Sequence, residues 1–332
     1  MTASISICAM ARNEGRALAE WAACHFALGV REIRLYDNGS DDDTAELASR
    51  LSQHFRLVRV PWTQPGAGHD TVQRAAFDDA AAWYIGRADF VAFIDLDEFL
   101  LPAEGMSLPE ALAGYDHSVG AIAVNQRCFG SSWHDKYQPA PVLGRFTRRA
   151  SLDSPEHCFV KSIARPECLL PFRTVHSVEL NTGHCVFPDG TPYEPGTPHP
   201  GKARRIVTTG PLRLHHYLLK SLQEFRAKQR RFSGTDLADR YDDSYFLNRD
   251  EITNAEEDRF ALRFLPLIEA TLRDICIPPP ADTVMAAPPP PTPAQEQAGG
   301  AAGVVIGRGT MVVPSITQSL APTVAGGGIT WP

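Results

Sequence analysis

DFVAFIDLDEFLL, residues 89–101, decides the architecture. Its first half, Phe90 to Ile94, is an uninterrupted apolar run and reads as a strand buried on both faces of a parallel sheet. The run stops at Asp95-Leu96-Asp97-Glu98, where three of four residues are acids. Ligands of open α/β sheets gather at the carboxyl ends of strands, which is where these acids fall. Three carboxylates there repel one another and lose hydration, so something cationic should compensate them. Asp95 and Asp97, two apart on an extended chain, point the same way and could share one hard divalent ion. The alternative for this stretch alone is a capped strand end with Asp97 and Glu98 solvated.

The residues before it repeat one pattern. SISICAM (4–10) is β-prone, and a helix should run from about Glu14 to Leu28, with Leu18, Trp21, Ala22 and Leu28 at helical spacing and Gly29 as its C-terminal cap. VREIRLYDN is a second strand ending at Asp37. Asn38 to Thr44 is rich in N-cap residues and should open a helix over 43–53. Arg56–Val60 is a third strand. Residues 70–86 form a helix with Val72, Ala75, Ala76, Asp79, Ala80 and Trp83 near one face. This β-α-β-α-β-α-β order predicts a parallel sheet wrapped by helices. Polar clusters follow strands one, two and four, and in a parallel sheet all three lie on one edge.

A-R-N-E with EW, H and LG over 11–29, Y-D-N-x-S-x-D at 36–42 and F-I-D-x-D-E-F at 93–99 resemble a GT-A glycosyltransferase of the family 2-like, family 92-like group. C-F-G-S-S (128–132), K-S-I-A-R-P-E (161–167) and H-Y-x-x-K-S-x-x-E-F-x-x-K (216–228) extend the resemblance over about residues 3–235. It implies a Rossmann-like, mostly parallel sheet with a smaller mixed acceptor-side region. It also implies metal-dependent, inverting transfer of a sugar from a nucleoside diphosphate donor, UDP above all, to a glycan or lipid-linked acceptor. Asp95, Asp97 and His216 would hold Mn²⁺ or Mg²⁺. Arg12, Asn13, Glu14, Asp37, Ser40, Asp41, Asp95 and Lys161 would bind the nucleotide-sugar. Arg12 could instead pair with Asp37, and Lys161, an apolar-flanked strand lysine, needs an anionic partner that a salt bridge would also supply. The base that takes the acceptor proton could be Asp135 or Glu179, with His134 a third option. A nucleotidyltransferase or a non-catalytic sugar-nucleotide or glycan-binding module are the alternatives; neither G-x-x-x-x-G-K-[ST] nor G-x-G-x-x-G occurs.

Beyond Glu98, Val119–Asn125 reads as a strand and QRCFGSSWHDKY (126–137) as a polar loop of the kind that carries binding. Phe159–Arg165 and Val175–Leu180 read as short strands, 181–203 as a loop or lid, and Arg213–Tyr217 as a last strand leading into a helix over 220–232. That helix should turn Leu222, Phe225 and Phe232 inward and Lys220, Arg226, Lys228, Arg230 and Arg231 outward, a cationic face that is solvated or meets a membrane peripherally through 220–231. A final helix over 256–273 should be kinked at Pro266. The reading is a catalytic domain over 1–275, with a nucleotide-binding half (1–100) and an acceptor-side half (101–275), and a Pro/Ala/Gly-rich disordered tail over 278–332.

At 332 residues and net charge −7, nucleic acid is not the expected partner. No run approaches the roughly 18 apolar residues of a membrane span, and MTASISICAM lacks the features of a secretion signal. Seven scattered cysteines without a C-x-x-C pair fit a reduced, cytoplasmic enzyme, possible membrane contact being at the inner face. Cys158, Cys168, His176, His184 and Cys185 match no zinc spacing.

Overall fold

The computed structural model describes residues 3–64, 67–199, 201–231 and 242–275. The N-terminal third alternates as its periodicity predicts: β1 (Ile5–Ala11), α1 (Gly15–Ala27), β2 (Glu32–Asp37), α2 (Thr44–Ser52), β3 (Leu57–Pro61), α3 (His69–Tyr84) and β4 (Phe90–Phe93). These strands lie in the order β3-β2-β1-β4, all parallel. Both faces are dry. Ile5, Ile7 and Ala9 join Trp21 and Leu51 in one core, while Cys8 and Met10 join Phe77 and Ala80 in the other. Gly29 ends α1 in the left-handed region (φ +97°), where a Cβ would also fall 2.8 Å from Pro109 Cδ.

After β4 the chain turns at once into β5 (Glu98–Pro102), a strand hidden within the acidic block. Then come α4 (Leu108–Leu112), β6 (Val119–Cys128), α5 (Val142–Arg145), β7 (Arg148–Arg149), β8 (Val160–Ala164), β9 (His184–Val186) and β10 (Leu212–His216). The C-terminal elements are α6 (Leu222–Arg231), α7 (Asp243–Thr253), β11 (Glu256–Glu257) and α8 (Leu265–Asp274). β8 lies antiparallel between β4 and β6, and β10 lies between β6, to which it is parallel, and β5, to which it is antiparallel. The architecture is α/β, a parallel half continued by a mixed half, with helices on the flanks.

Several expectations change. Residues 175–180 form no strand and contribute only the isolated bridge Leu169↔Leu180. Gln126–Cys128 extend β6, so the loop begins at Phe129. The segment 256–273 is not one kinked helix: β11 pairs with β7, a 3-10 turn covers Phe260–Phe264, and Pro266 sits in the first turn of α8, where its missing N–H costs nothing. In α8, Ile268 is buried while Leu267 is 45% exposed. In α3, Trp83 is 42% exposed, and Phe77 and Tyr84 fill the core instead. α7 has no strong periodicity and was not foreseen. Phe232 and residues 278–332 lie outside the described residues, among which no helix is long and apolar enough to cross a membrane.

Candidate active site

The turn between β4 and β5 carries the acids, and Glu98 holds it in shape. Glu98 is wholly buried; its Oε2 accepts the Asp95 backbone N–H at 2.9 Å and its Oε1 accepts from the Gln126 amide. Asp95 accepts from Gln73 Nε2 at 2.6 Å and from Lys161 Nζ at 2.8 Å. Lys161, 1% exposed, also stands 3.7 Å from Glu98 Oε2. The anionic partner that a strand lysine requires is therefore this pair of acids.

Asp97 faces another way. Its Oδ1 lies 3.7 Å from His216 Nε2, and its Oδ2 accepts from Lys228 Nζ at 2.5 Å. The register explains the first contact, because His216 on β10 is paired directly with Glu98 on β5. The second corrects the expected outward cationic face: α6 turns Lys228 onto the acid turn, while Arg226 pairs with Asp243 of α7. The base of α6 is anchored by Glu224, which binds Arg145 with both carboxylate oxygens.

The charges respond to this packing. Burial works to raise the Asp97 carboxyl, but Lys228 and His216 overcome it and hold the group well below the ordinary range. Burial pushes Glu98 up to about 7, against the pull of Lys161. Burial opposes the His216 cation, yet Asp97 outweighs it and lifts the imidazole to about 10. Beneath His216 lies Cys128, whose buried thiol is drawn down to about 7 by His157 and His216 against the effect of burial.

A carboxylate oxygen and an imidazole nitrogen are donors that suit Mn²⁺, with oxygen alone preferred by Mg²⁺. Asp97 and His216 fit such an ion in type and placement. Asp95 is engaged by Lys161 and Gln73, and among the described residues no three His, Cys, Asp or Glu side chains enclose an ion by themselves.

The residues expected to meet a nucleotide share the edge. Asp37 ends β2 opposite Ala11 of β1, and Phe93 of β4 lies opposite Cys8 of the same strand. The Asp37 side chain is fully buried; Oδ1 accepts the Ser40 N–H and Oδ2 binds Arg59, both within 2.9 Å. Its cationic partner is thus Arg59, not Arg12, which is exposed. The two loops of this edge clasp each other: Asn13 N–H donates to Ser40 Oγ, Asp41 N–H to Asn13 Oδ1, and Glu14 N–H to Thr44 Oγ1. Asn13 takes a left-handed φ of 57° to do so.

The base candidates separate. Asp135 is exposed, in a loop whose backbone meets the start of α6 through Gln223 N–H to Asp135 O at 3.0 Å. His134 Nε2 lies 3.1 Å from Arg145 O. Glu179 is 54% exposed, paired with Arg173, and adjoins Leu180, which packs on Gly120 near the start of β6; Gln126, which reaches Glu98, is near the other end of that strand. Sequence reasoning missed Gln73, Gln126, Lys228 and Cys128. Neutral amides carry no charge signal, and a lysine on a polar helix is indistinguishable from a solvated one until its partner strand is placed.

The profile of glycosyltransferase family 92 matches residues 3–191. The chain belongs to glycosyltransferase family 92. Relatives of that name from rice (Oryza sativa subsp. japonica) and Ricinus communis are 32% and 33% identical over 185 and 183 residues, 54% and 53% of this chain. The family 92 chain described here covers only 30% and 32% of those relatives' lengths. Among solved structures, glucosyl-3-phosphoglycerate synthase from Mycobacterium tuberculosis in complex with Mn²⁺, UDP and glucosyl-3-phosphoglycerate is 21% identical, covering 56% of this chain and 70% of that one, with a TM-score of 0.33. S. aureus TarS 1–349 is 14% identical over 82% of this chain and 80% of that one, with a TM-score of 0.35. In this family 92 chain, His216 and Lys228 lie beyond the matched residues.

Proposed function

We propose that the chain transfers a sugar from a nucleoside diphosphate donor, UDP-linked, to a glycan or lipid-linked acceptor, with inversion and with a divalent ion. Family membership supports glycosyl transfer, and the observation that carries the metal is the facing pair Asp97–His216 on the carboxyl edge of the sheet. Those two residues would hold Mn²⁺ or Mg²⁺, which when bound offsets charge on the departing nucleoside diphosphate.

The chain's own groups then have separate tasks. Lys161 and Glu98 fix Asp95 and the turn; Lys228 leaves Asp97 for the diphosphate; Arg12, Asn13 and Ser40 line the nucleoside side, with Asp37 held rigid by Arg59. His216 gives up its proton when it becomes a ligand. In a single displacement the acceptor oxygen bonds to the anomeric carbon as the bond to the diphosphate oxygen breaks, and the acceptor proton passes to a base. Asp135 is our assignment for that base, as the candidate whose loop adjoins α6.

Asp97→Asn should abolish Mn²⁺-dependent transfer, a loss of at least about 10²-fold, while circular dichroism and melting stay near wild type. Retained activity overturns the metal assignment. UDP binding without turnover across a panel of UDP-sugars would favour the binding-module alternative, and pyrophosphate release from a nucleoside triphosphate the nucleotidyltransferase.

A further inference from the structure

Trp133 is 67% exposed, more than any other large apolar side chain among the described residues. It also occupies a costly backbone state: Ser132 and Trp133 are successive non-glycine residues in the left-handed region, at φ 48° and 62°. A bulky side chain in that region that buries little surface contributes little to folding beyond its contact with Arg148, yet the surrounding chain is built to enforce it. Asp250 of α7 accepts from Ser131 N–H at 2.7 Å and from Ser131 Oγ at 2.8 Å. Asn254 Oδ1 accepts the Ser132 N–H, and Ser131 Oγ accepts the Trp133 N–H, both at 2.9 Å. Ser132 Oγ takes the N–H groups of Thr147 and Arg148. Gly130 packs so close that a Cβ would fall 2.5 Å from Asn254 Oδ1. The Arg148 guanidinium lies 4.4 Å from the indole centroid and is itself tied to the carbonyls of Asn254 and Ala255, so one side of the ring is fixed by a cation.

The loop that carries Trp133 is bonded to the elements of the acid turn. The loop leaves β6 at Phe129, whose N–H donates to His216 O, and Leu222 N–H, at the start of the helix that carries Lys228, donates to His134 O. Trp133 is thus tied on both sides to the elements that hold Asp97.

We propose that Trp133 is the acceptor platform: a sugar ring of the glycan to be extended lies on the indole, with Arg148 and Asp135 beside it for hydroxyl contacts. An aromatic face joined to a few polar groups is a surface that matches the apolar and hydroxyl sides of a pyranose. The inference rests on the transferase reading above and narrows its acceptor to one whose non-reducing sugars are presented as rings rather than a bare lipid phosphate.

The test is saturation-transfer difference NMR on the full chain with UDP and Mg²⁺, using cellotetraose, maltotetraose, mannotetraose and chitotetraose. At least one should bind wild type and bind Trp133→Ala at least tenfold more weakly, with Trp133→Phe within about threefold. Trp133→Gly, free of the left-handed penalty, should melt no lower than wild type and still lose the sugar, which separates binding from folding. UDP affinity, measured alongside, should not change in any variant. Absence of binding by all four sugars, or equal binding by Trp133→Ala, overturns the platform; loss of UDP binding in wild type overturns the transferase reading instead.

Discussion

Lys161 shows how much one buried charge carries. It is 1% exposed and touches Asp95 and Glu98, so its removal leaves two acids without a counter-charge. Lys161→Met should cost about 3 kcal/mol at pH 8, by chemical denaturation, since breaking a buried pair strands its partner. The sign with pH follows from Glu98. Its folded pKa, near 7, is above the unfolded value, so the stability it gives is complete at acid pH and is lost as pH rises through 7. The Lys161→Met deficit should therefore shrink at pH 5, where the folded Glu98 is protonated and no longer needs the lysine as a counter-charge. Asp95, Asp97 and Lys161 were legible in the sequence because charge beside an apolar run demands a partner. Which partner was not legible: Asp37 took Arg59 from β3, and Lys161 took the acids of the neighbouring strand.

Among the elements, α6 departs furthest from its sequence pattern. Its mean polarity reads as a solvated face, but Glu224 bound to Arg145 and Arg226 bound to Asp243 set its rotation, and Lys228 is left over Asp97. Lys161 is enclosed, whereas the Lys228 side chain is 22% exposed on a flexible stem and can turn to a ligand. Lys228→Met should weaken UDP binding in Mn²⁺ about tenfold, by calorimetry, because a phosphate contact is lost, and tighten Mn²⁺ binding without nucleotide, by paramagnetic resonance, because a competing cation is removed. The first four strands and three helices were readable because each repeats one period over its whole length. β5 was not, since its onset at Glu98 follows β4 with no glycine or proline to mark the turn, and α7 lacks an apolar stripe.

Across the molecule, the parallel half could be derived from local pattern, while the mixed half depends on pairings between distant segments. β10 is the clearest case: it fills an interior place between β6 and β5. A chain ending at Thr191, where the family match stops, would leave the edges of both open and the Glu98 register unpaired. It should fail to unfold cooperatively on heating and should bind dye that reports exposed apolar surface, whereas the full chain should give one sharp transition.

β10 and α6 together set an order in time. Lys228 lies 131 positions after Asp97, so a ribosome finishes the acids long before it makes the lysine and histidine that restrain them. Until those late residues emerge, the nascent chain carries its carboxylates on an unfinished sheet. The acids therefore wait, during synthesis, for counter-charges that arrive only after the chain has grown 131 positions further.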